Sequence, residues 1–370
     1  MTTCGRPERV RILVISNLYP SPAHPAFGTF VKARVDALRA LGADVRVVAN
    51  RDPAVHRRIV GKYASLAWAA GLAVTGDRVR GRRFDVVEAH IAYPTGLIAR
   101  PVAALAGARL VLFAHGADVV NVPARSARHG RLARSTYGSA SLIVANSQFL
   151  AGEIGRRFPG VVDKVRVLSP GIELERFRSD PTGPRAGVLY VGRLIPEKGV
   201  DVLIRAMARL GAENGHGGGA VGRLTVVGDG PERDRLAALA ASLGVDLDLL
   251  SGVEPAAIAE AMRLAAVVAV PSVYREPLGL VAIEGMASGA IVVASATGGL
   301  VESVLDGVTG LTVRPGDPDE LAAAILQAAG IATDPVAGPA MRAAGWAMAG
   351  THDVRASAAE SLLLYGTLWR

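Results

Sequence analysis

Cysteine is almost absent from this sequence: Cys4 stands alone among 370 residues, so neither a disulfide framework nor a thiolate metal site can be built. A reducing, intracellular setting is the simplest fit. Long apolar runs are missing as well. No stretch of about 18 consecutive apolar residues occurs, and the opening MTTCGRPERV leads straight into a strand pattern without the apolar core of a signal peptide. A cytoplasmic protein without a membrane span is therefore expected. Aromatic residues make up only 5% of the chain, too few for a stacking surface, and no nucleic-acid module is visible; despite the basic charge, no nucleic-acid partner is expected.

Half of the residues are hydrophobic, dominated by Ala, Val and Leu, with 43 glycines. That length and composition suit two close-packed α/β cores better than one. The net charge of +8 is uneven: 27 Lys and Arg face 13 Asp and Glu up to residue 180, whereas 14 face 20 beyond it. A basic half beside an acidic half implies that the first meets something anionic, such as a phosphorylated acceptor, a lipid phosphate or an anionic membrane surface. Peripheral attachment at the inner face of a membrane is compatible with that charge.

Short runs rich in Val, Ile and Leu recur, each bounded by turn residues and followed by a helix-length amphipathic stretch. In the first half they are 10–16, 45–49, 86–89, 110–114, 142–145 and 165–168; in the second, 188–191, 224–227, 247–250, 267–270, 291–294 and 311–313. Nearly continuous apolar strands of this length are what a parallel sheet buried on both faces requires. The fold expected is α/β, two doubly wound Rossmann-like domains facing across a cleft. The boundaries expected are 1–178 for an acceptor-side domain, 179–350 for a nucleotide-binding domain, and a C-terminal helix over 351–370 packing back on the first domain. SDPTGPRAG concentrates turn formers at the junction, and the linker suggests closure of the two domains on a ligand. GHGGG at 215–219 reads as a surface loop.

Doubly wound sheets bind ligands outside the carboxyl ends of their strands. There VGRLIPEKG brings Gly192, Arg193 and Lys198. Arg offers a planar fork and Lys a point charge to one diphosphate. GDGP at 228–231 closes another strand at the same edge. The run PSVYREPLGLVAIE then passes from a buried strand into a helix expected to begin near Pro277, leaving amides around Leu278, Gly279 and Leu280 free for phosphate. Glu276 stands at that entrance, and Glu284 lies eight residues on, roughly 12 Å along a helix axis. One carboxylate suits sugar hydroxyls, the other ribose hydroxyls.

Taken together, VGRLIPEKG, GDGP and EPLGLVAIEGMASGAIVVASATGGLVESVLDGVTGLTV resemble the C-terminal domain of family 4 glycosyltransferases of the GT-B fold, group 1 type, with Glu276 and Glu284 in the family's E-x7-E pair. The resemblance implies that Arg193 and Lys198 bind the diphosphate of a nucleotide-sugar donor, UDP- or GDP-linked. It implies further that Glu276 binds the transferred sugar, Glu284 the ribose, and the backbone near Ser251, Gly252 and Val253 the base. Retention at the anomeric carbon is implied too, with the leaving phosphate helping to take the acceptor proton. Two departures stand out: Gly285 where Ala is usual, and Ala290-Ile291 in place of a small residue and Pro.

In the first half, the block from Asn17-Leu18-Tyr19-Pro20 to Gly28, at the start of a helix, is similar to the N-terminus of bacterial members that build polysaccharides or glycolipids, teichuronic acid transferases included. Gly28 would let the donor approach the backbone. FAHGAD matches the family's H-G-x-D turn, which implies that His115 touches the donor sugar and Asp118 orients the loop or the acceptor. His90 in HIAYPTG fits an acceptor-side or a structural role. No Asp or His cluster suits a metal, so no metal cofactor is expected; Arg193, Lys198 and helix dipoles would meet the leaving charge. The acceptor is expected to be a hydroxyl, lipid-linked or on a small molecule. A basic, partly amphipathic stretch over 51–83 and Arg125, Arg128, Arg131 and Arg134 at helical spacing supply the anionic-surface option. A nucleotide-sugar epimerase and a non-catalytic nucleotide-sugar-binding subunit are the rival functions. A retaining glycosidase is disfavoured, since its two carboxylates flank one bond rather than sit beside two cations.

Overall fold

The computed structural model describes residues 9–52, 59–178, 183, 185–214 and 221–369. Cys4, the Gly215–Gly219 loop, residues 53–58 of the basic stretch and most of the junction SDPTGPRAG lie outside the described residues. The chain forms two compact units, the first made of residues up to Gly171 plus Val354–Arg370, the second of Ile172–Asp353. The breaks thus fall at 171/172 and 353/354, against the expected 178 and 350. Ile172 and Phe177 explain the earlier first break: both are buried in the second unit's core.

Unit 1 holds β1 (Arg11–Ser16), α1 (Thr29–Ala40), β2 (Asp44–Ala49), α2 (Ile59–Val79), β3 (Val86–His90), α3 (Ala92–Ala106), β4 (Arg109–Ala114), α4 (Ala127–Ser139), β5 (Leu142–Ala145), α5 (Gln148–Arg157) and β6 (Val165–Val167). Its six parallel strands run in the order β2-β1-β3-β4-β5-β6. Unit 2 holds α6 (Leu174–Phe177), β7 (Val188–Val191), α7 (Val200–Asn214), β8 (Leu224–Val227), α8 (Arg233–Ser242), β9 (Leu247–Leu250), α9 (Pro255–Leu264), β10 (Val267–Val270), α10 (Leu280–Ala287), β11 (Ile291–Ser295), α11 (Leu300–Ser303), β12 (Leu311–Val313), α12 (Pro318–Thr333) and α13 (Ala337–Gly350). Its strand order is β12-β11-β10-β7-β8-β9, again all parallel. The last helix, α14 (Val354–Thr367), belongs to unit 1.

Central strands are apolar on both faces because helices cover both. The residues of β3, β5, β10 and β11 are buried throughout, and each sheet has one core on either side. In each unit the chain reverses its direction of travel across the sheet once, between β1 and β3 and between β7 and β10. Connections leave in opposite directions there, which opens a crevice beyond the carboxyl ends. Among the described residues, no single helix is long and apolar enough to cross a membrane.

Candidate active site

In unit 2 the crevice between β7 and β10 is where two loops meet. After β7 the chain passes Gly192 and Arg193 to a 3-10 turn at Pro196–Lys198; after β10 it passes Pro271 to Gly279. Lys198 Nζ pairs with Glu276 Oε1. The same oxygen accepts from Ser272 Oγ at 2.7 Å, and Oε2 accepts from Tyr274 Oη at 2.6 Å. Glu276 is only 4% exposed. Two hydroxyl donors and a cation around one buried carboxylate fix its orientation, as a ligand-positioning group requires. Burial, then the Glu276 charge, push the Tyr274 and Tyr190 phenols well above their ordinary range, so both stay protonated donors.

Arg193 is exposed and has no carboxylate partner among the described residues, although it lies close enough to act electrostatically on both tyrosines. Tyr190 Oη donates to the Arg193 carbonyl at 2.9 Å, fixing the loop that carries this cation. The expected helix start near Pro277 is corrected: α10 begins at Leu280, and Gly279 caps it in the left-handed region, φ +89°. A side chain there would be strained and would strike Leu300 at 2.3 Å. Glu276 therefore sits in a loop, and the helical rise does not measure its separation from Glu284.

Glu284, midway along α10, is partly buried and accepts no side-chain hydrogen bond among the described residues. Burial pushes its carboxyl up to about 7, against a downward pull from Arg176. Leu278 is 3% exposed and packs in the core, so only its backbone can face a ligand; Leu280 and Val253 are half-buried against that core. Gly252 is exposed in the turn after β9. Gly285, the departure from the family pattern, has its own reason: a Cβ would lie 3.1 Å from the Val268 side chain and 3.2 Å from Val292.

Gly298 presses on the backbone of Glu276. Its φ is +60°, and a Cβ would sit 2.1 Å from the Glu276 carbonyl oxygen, while Gly299 N–H donates to that oxygen at 2.6 Å. The glycine pair after β11 thus braces the loop that aims Glu276. Gly298→Ala is expected to cost more than about 2 kcal/mol, combining left-handed strain with a backbone clash. A chemical denaturation midpoint equal to that of the unsubstituted chain would contradict this.

In unit 1, His90 ends β3 and His115 follows β4. Their rings lie 5.5 Å apart and nearly parallel, with His90 Nδ1 3.3 Å from His115 Nε2. His90 is 1% exposed and also stacks on Phe113. Its Nε2 lies 3.4 Å from Glu88 Oε2, too oblique for a hydrogen bond but close enough to favour the tautomer protonated on Nε2. In that tautomer His115 Nε2 donates to His90 Nδ1, leaving His115 Nδ1 an acceptor. Burial lowers both ring pKa values, so the rings are neutral near pH 7.

Beneath them, Arg34 of α1 grips Glu88 of β3 at 3.2 and 3.3 Å and stacks over Phe113. From α14, Ser361 accepts from Arg34 at 2.9 Å, and Tyr365 accepts from Arg34 at 3.0 Å and donates to Glu88 at 2.5 Å. Burial favours the neutral acid, but Arg34 and the His90 ring outweigh it and hold the Glu88 carboxyl at about 2.

Asp118 turns inward rather than toward a ligand. Its carboxylate accepts from the amides of Ala92 at 2.7 Å, Gly116 at 2.8 Å and His115 at 3.0 Å, locking the loop that carries His115 to the start of α3. Burial pushes it up to about 6 against those amides. Just before α3, Ile91 holds φ +64°, a rare state for a β-branched residue and one stored strain beside His90. Tyr19 is 8% exposed beneath Arg51. Gly28 caps α1 against the Leu18 backbone. Arg125, Arg128, Arg131 and Arg134 are all exposed, the last three on α4.

Several functional groups carry no motif. Tyr274 and Ser272 escape sequence reasoning because only the fold turns them onto Glu276; their place within four residues of Glu276 in a loop was the available signal. The described residues gather no group of three His, Cys, Asp or Glu fit for a metal.

Comparison with known proteins converges on one family. Residues 172–329 match Glycosyl transferases group 1, and residues 28–176 match Glycosyltransferase Family 4. The D-inositol 3-phosphate glycosyltransferase of Actinosynnema mirum is 34% identical over 316 residues, 74% of either chain. That of Kribbella flavida is 38% identical over 238 residues, 59% of this chain and 53% of that protein, so the match spans about half the length of this relative. Among solved structures, sucrose-phosphate synthase from Thermosynechococcus elongatus superposes with a TM-score of 0.77 at 23% identity, covering 98% of this chain and 99% of that one. Anabaena Alr3699/HepE in complex with UDP and glucose gives 0.73 at 21%, covering 97% and 100%. With two doubly wound parallel sheets and a paired Lys198 and Glu276 at the switch point of the second, the chain belongs to the group 1, family 4 glycosyltransferases of the GT-B fold.

Proposed function

We propose that this glycosyltransferase moves a hexosyl group from a UDP- or GDP-linked donor to a hydroxyl of an anionic acceptor, with retention and without a metal ion. The observation that carries the donor side is the Lys198–Glu276 pair beside Arg193, which has no carboxylate partner among the described residues, and the glycine-capped start of α10. UDP and UDP-glucose in the solved complexes of Alr3699/HepE support a nucleotide-sugar donor. In the transfer, the bond from the anomeric carbon to the phosphate oxygen breaks and its electron pair stays on the diphosphate. The acceptor oxygen bonds to the same face of that carbon, and its proton passes to the leaving phosphate. Arg193, Lys198 and the α10 amides meet the diphosphate charge; Glu276 holds the sugar hydroxyls.

For the acceptor, the curated relatives are named for D-inositol 3-phosphate, and the basic first half favours a phosphorylated partner. A cytoplasmic location with peripheral attachment is part of the same proposal, motivated by Trp68, Leu72 and Val79, which stand 73%, 54% and 88% exposed on α2 beside Arg80, Arg82 and Arg83. Product anomeric configuration by NMR, with turnover measured in excess chelator, tests the core of the proposal: the donor's configuration and undiminished turnover are expected. An inverted product, or loss of turnover on chelation, would overturn it.

Glu284 gives a separate expectation. Glu284→Ala should weaken nucleotide binding about tenfold or more, the worth of a charge-assisted hydrogen bond, without lowering ligand-free stability, because the partly buried carboxylate removed has no side-chain hydrogen bond among the described residues. The carboxyl sits near 7, so affinity should fall as pH drops through 7 and this slope should flatten in the variant. Calorimetric titration at pH 6 and pH 8 checks both; an unchanged dissociation constant would contradict the ribose role.

A further inference from the structure

One carboxylate staples together the two loops of unit 1 that carry His90 and His115. Asp118 accepts from the amide of His115 at 3.0 Å and from that of Ala92, two residues past His90, at 2.7 Å. The two rings are thus held face to face by the backbone as well as by the 3.3 Å contact between His90 Nδ1 and His115 Nε2. The Phe113 ring backs His90 at 4.7 Å, and the Phe30 ring lies 4.9 Å from His115.

Burial is graded along this line. Glu88 is fully buried, His90 is 1% exposed, and His115 is half-buried at the open end. A ring that served only to fill the core beside Phe113 would need no nitrogen, and His90 Nε2 is a buried polar atom with no hydrogen bond among the described residues. The nitrogens instead carry polarity outward. The Glu88 carboxylate, gripped by Arg34 and Tyr365, stands 3.4 Å from His90 Nε2 and sets the proton there. His90 Nδ1 is then bare and accepts from His115 Nε2, which leaves His115 Nδ1 bare in turn. Among the described residues, nothing hydrogen-bonds that last nitrogen.

We propose that Glu88 and His90 are positioning residues that fix His115 as a hydrogen-bond acceptor at Nδ1, so that the enzyme reads a sugar hydroxyl there and rejects a carboxylate, taking neutral hexosyl rather than uronosyl nucleotides. The donor class rests on the transferase function above; the state of His115 stands on Glu88 and His90 alone. A carboxylate brings only acceptors, and set against a bare ring nitrogen it would leave both groups without a partner. The opposite tautomer or an imidazolium would offer an N–H to that carboxylate. Burial, with His90 and Arg34 nearby, disfavours the imidazolium.

The test uses the full chain, isotope-labelled at the histidine nitrogens, and begins with NMR near pH 7, the His115 signals being assigned by their loss in His115→Phe. His115 is expected to carry its proton on Nε2 and none on Nδ1. His90→Phe keeps the stack on Phe113 but removes the acceptor, and should give a mixture of the two tautomers. His90→Asn, whose side-chain oxygen stands near the place of Nδ1, should restore the single state. Calorimetric titration then compares UDP-glucose with UDP-glucuronate and GDP-mannose with GDP-mannuronate. The neutral member of the pair that binds is expected to bind at least tenfold tighter. That ratio should fall severalfold in His90→Phe and recover in His90→Asn, while affinity for the bare nucleoside diphosphate stays unchanged. A purely structural His90 would lower the thermal midpoint without moving the ratio, and that result would overturn the positioning role. A proton on His115 Nδ1 in the unsubstituted protein, or a uronosyl nucleotide bound as tightly as its neutral counterpart, would overturn the proposal even if His90→Phe fails to fold. Binding of no nucleotide sugar, with His115 in the expected state, would sink the donor class together with the transferase function and leave the roles of Glu88 and His90 standing.

Discussion

Glu276→Gln should cut turnover by about a thousandfold and leave the protein folded. The carboxylate is nearly sealed from solvent and holds Lys198 on one oxygen with Ser272, and Tyr274 on the other. Gln keeps the volume but removes the charge, and one of its two ends must then present N–H groups to hydroxyl or ammonium donors. Lys198 loses its counter-ion and the sugar loses an anionic hydrogen-bond acceptor aimed at the site where positive charge develops. Removing one such preorganised group costs about 10²–10³ in rate, and the disturbed Lys198 adds to that. Folding should survive because one of Ser272 and Tyr274 can still donate to the amide oxygen, and the hydroxyl facing the amide nitrogen can rotate to accept from it. Steady-state turnover beside a thermal midpoint checks the pair of outcomes. Activity within tenfold of the unsubstituted enzyme would show that Glu276 is not the sugar-holding group.

Glu88→Gln should be the most destabilising change in unit 1, by about 3–5 kcal/mol, since it strands a fully buried Arg34. Arg34 is 2% exposed and Glu88 fully buried, so water cannot replace the lost partner. The bond from Tyr365 would weaken with it, loosening α14 from α1 and β3. The pH dependence carries the same signature. The folded pKa of Glu88 lies near 2, below its ordinary value, so its contribution is full above about 4.5 and is lost as pH falls toward 2. The lowered histidines also cost stability as pH falls below about 6.5, when the unfolded rings protonate. Asp118, raised to about 6, acts in the opposite sense over its own range. Denaturant melts of both forms from pH 3 to pH 8 should therefore show a smaller acid loss in Glu88→Gln below pH 4.5. Equal stability of the two at pH 7 would remove the network from any structural role.

The strands were legible because apolar runs bounded by turn residues leave few alternatives: β5, β7, β8, β9, β10 and β12 match expectation residue for residue, and each of the other strands differs by one residue. Lys198 meeting Glu276 was legible only as a consequence of family resemblance, since the two are 78 positions apart. The helix start after Pro277 was misplaced because a proline suits a first turn, whereas the glycine at 279 takes the left-handed cap. The network of Arg34, Glu88, Ser361 and Tyr365 had no sequence signal at all; its members are separated by up to 331 positions, and each alone reads as an ordinary polar residue on a strand or helix. Asp118 read as orienting either its loop or the acceptor, and the folded chain spends its oxygens on three amides, two of them in that loop. The strain at Ile91 is likewise a property of the folded junction between β3 and α3.

The most direct test is a thermal-shift comparison of the full chain and its Lys198→Ala variant against nucleoside diphosphates and their sugars, without added metal. At about 100 times its dissociation constant, a ligand stabilises by roughly 2.7 kcal/mol. A rise in midpoint selective for one nucleotide sugar, lost in the variant, is the predicted result. No rise with any UDP- or GDP-linked compound, in a sample that melts cooperatively, would contradict a nucleotide-sugar donor held at Lys198 and Glu276.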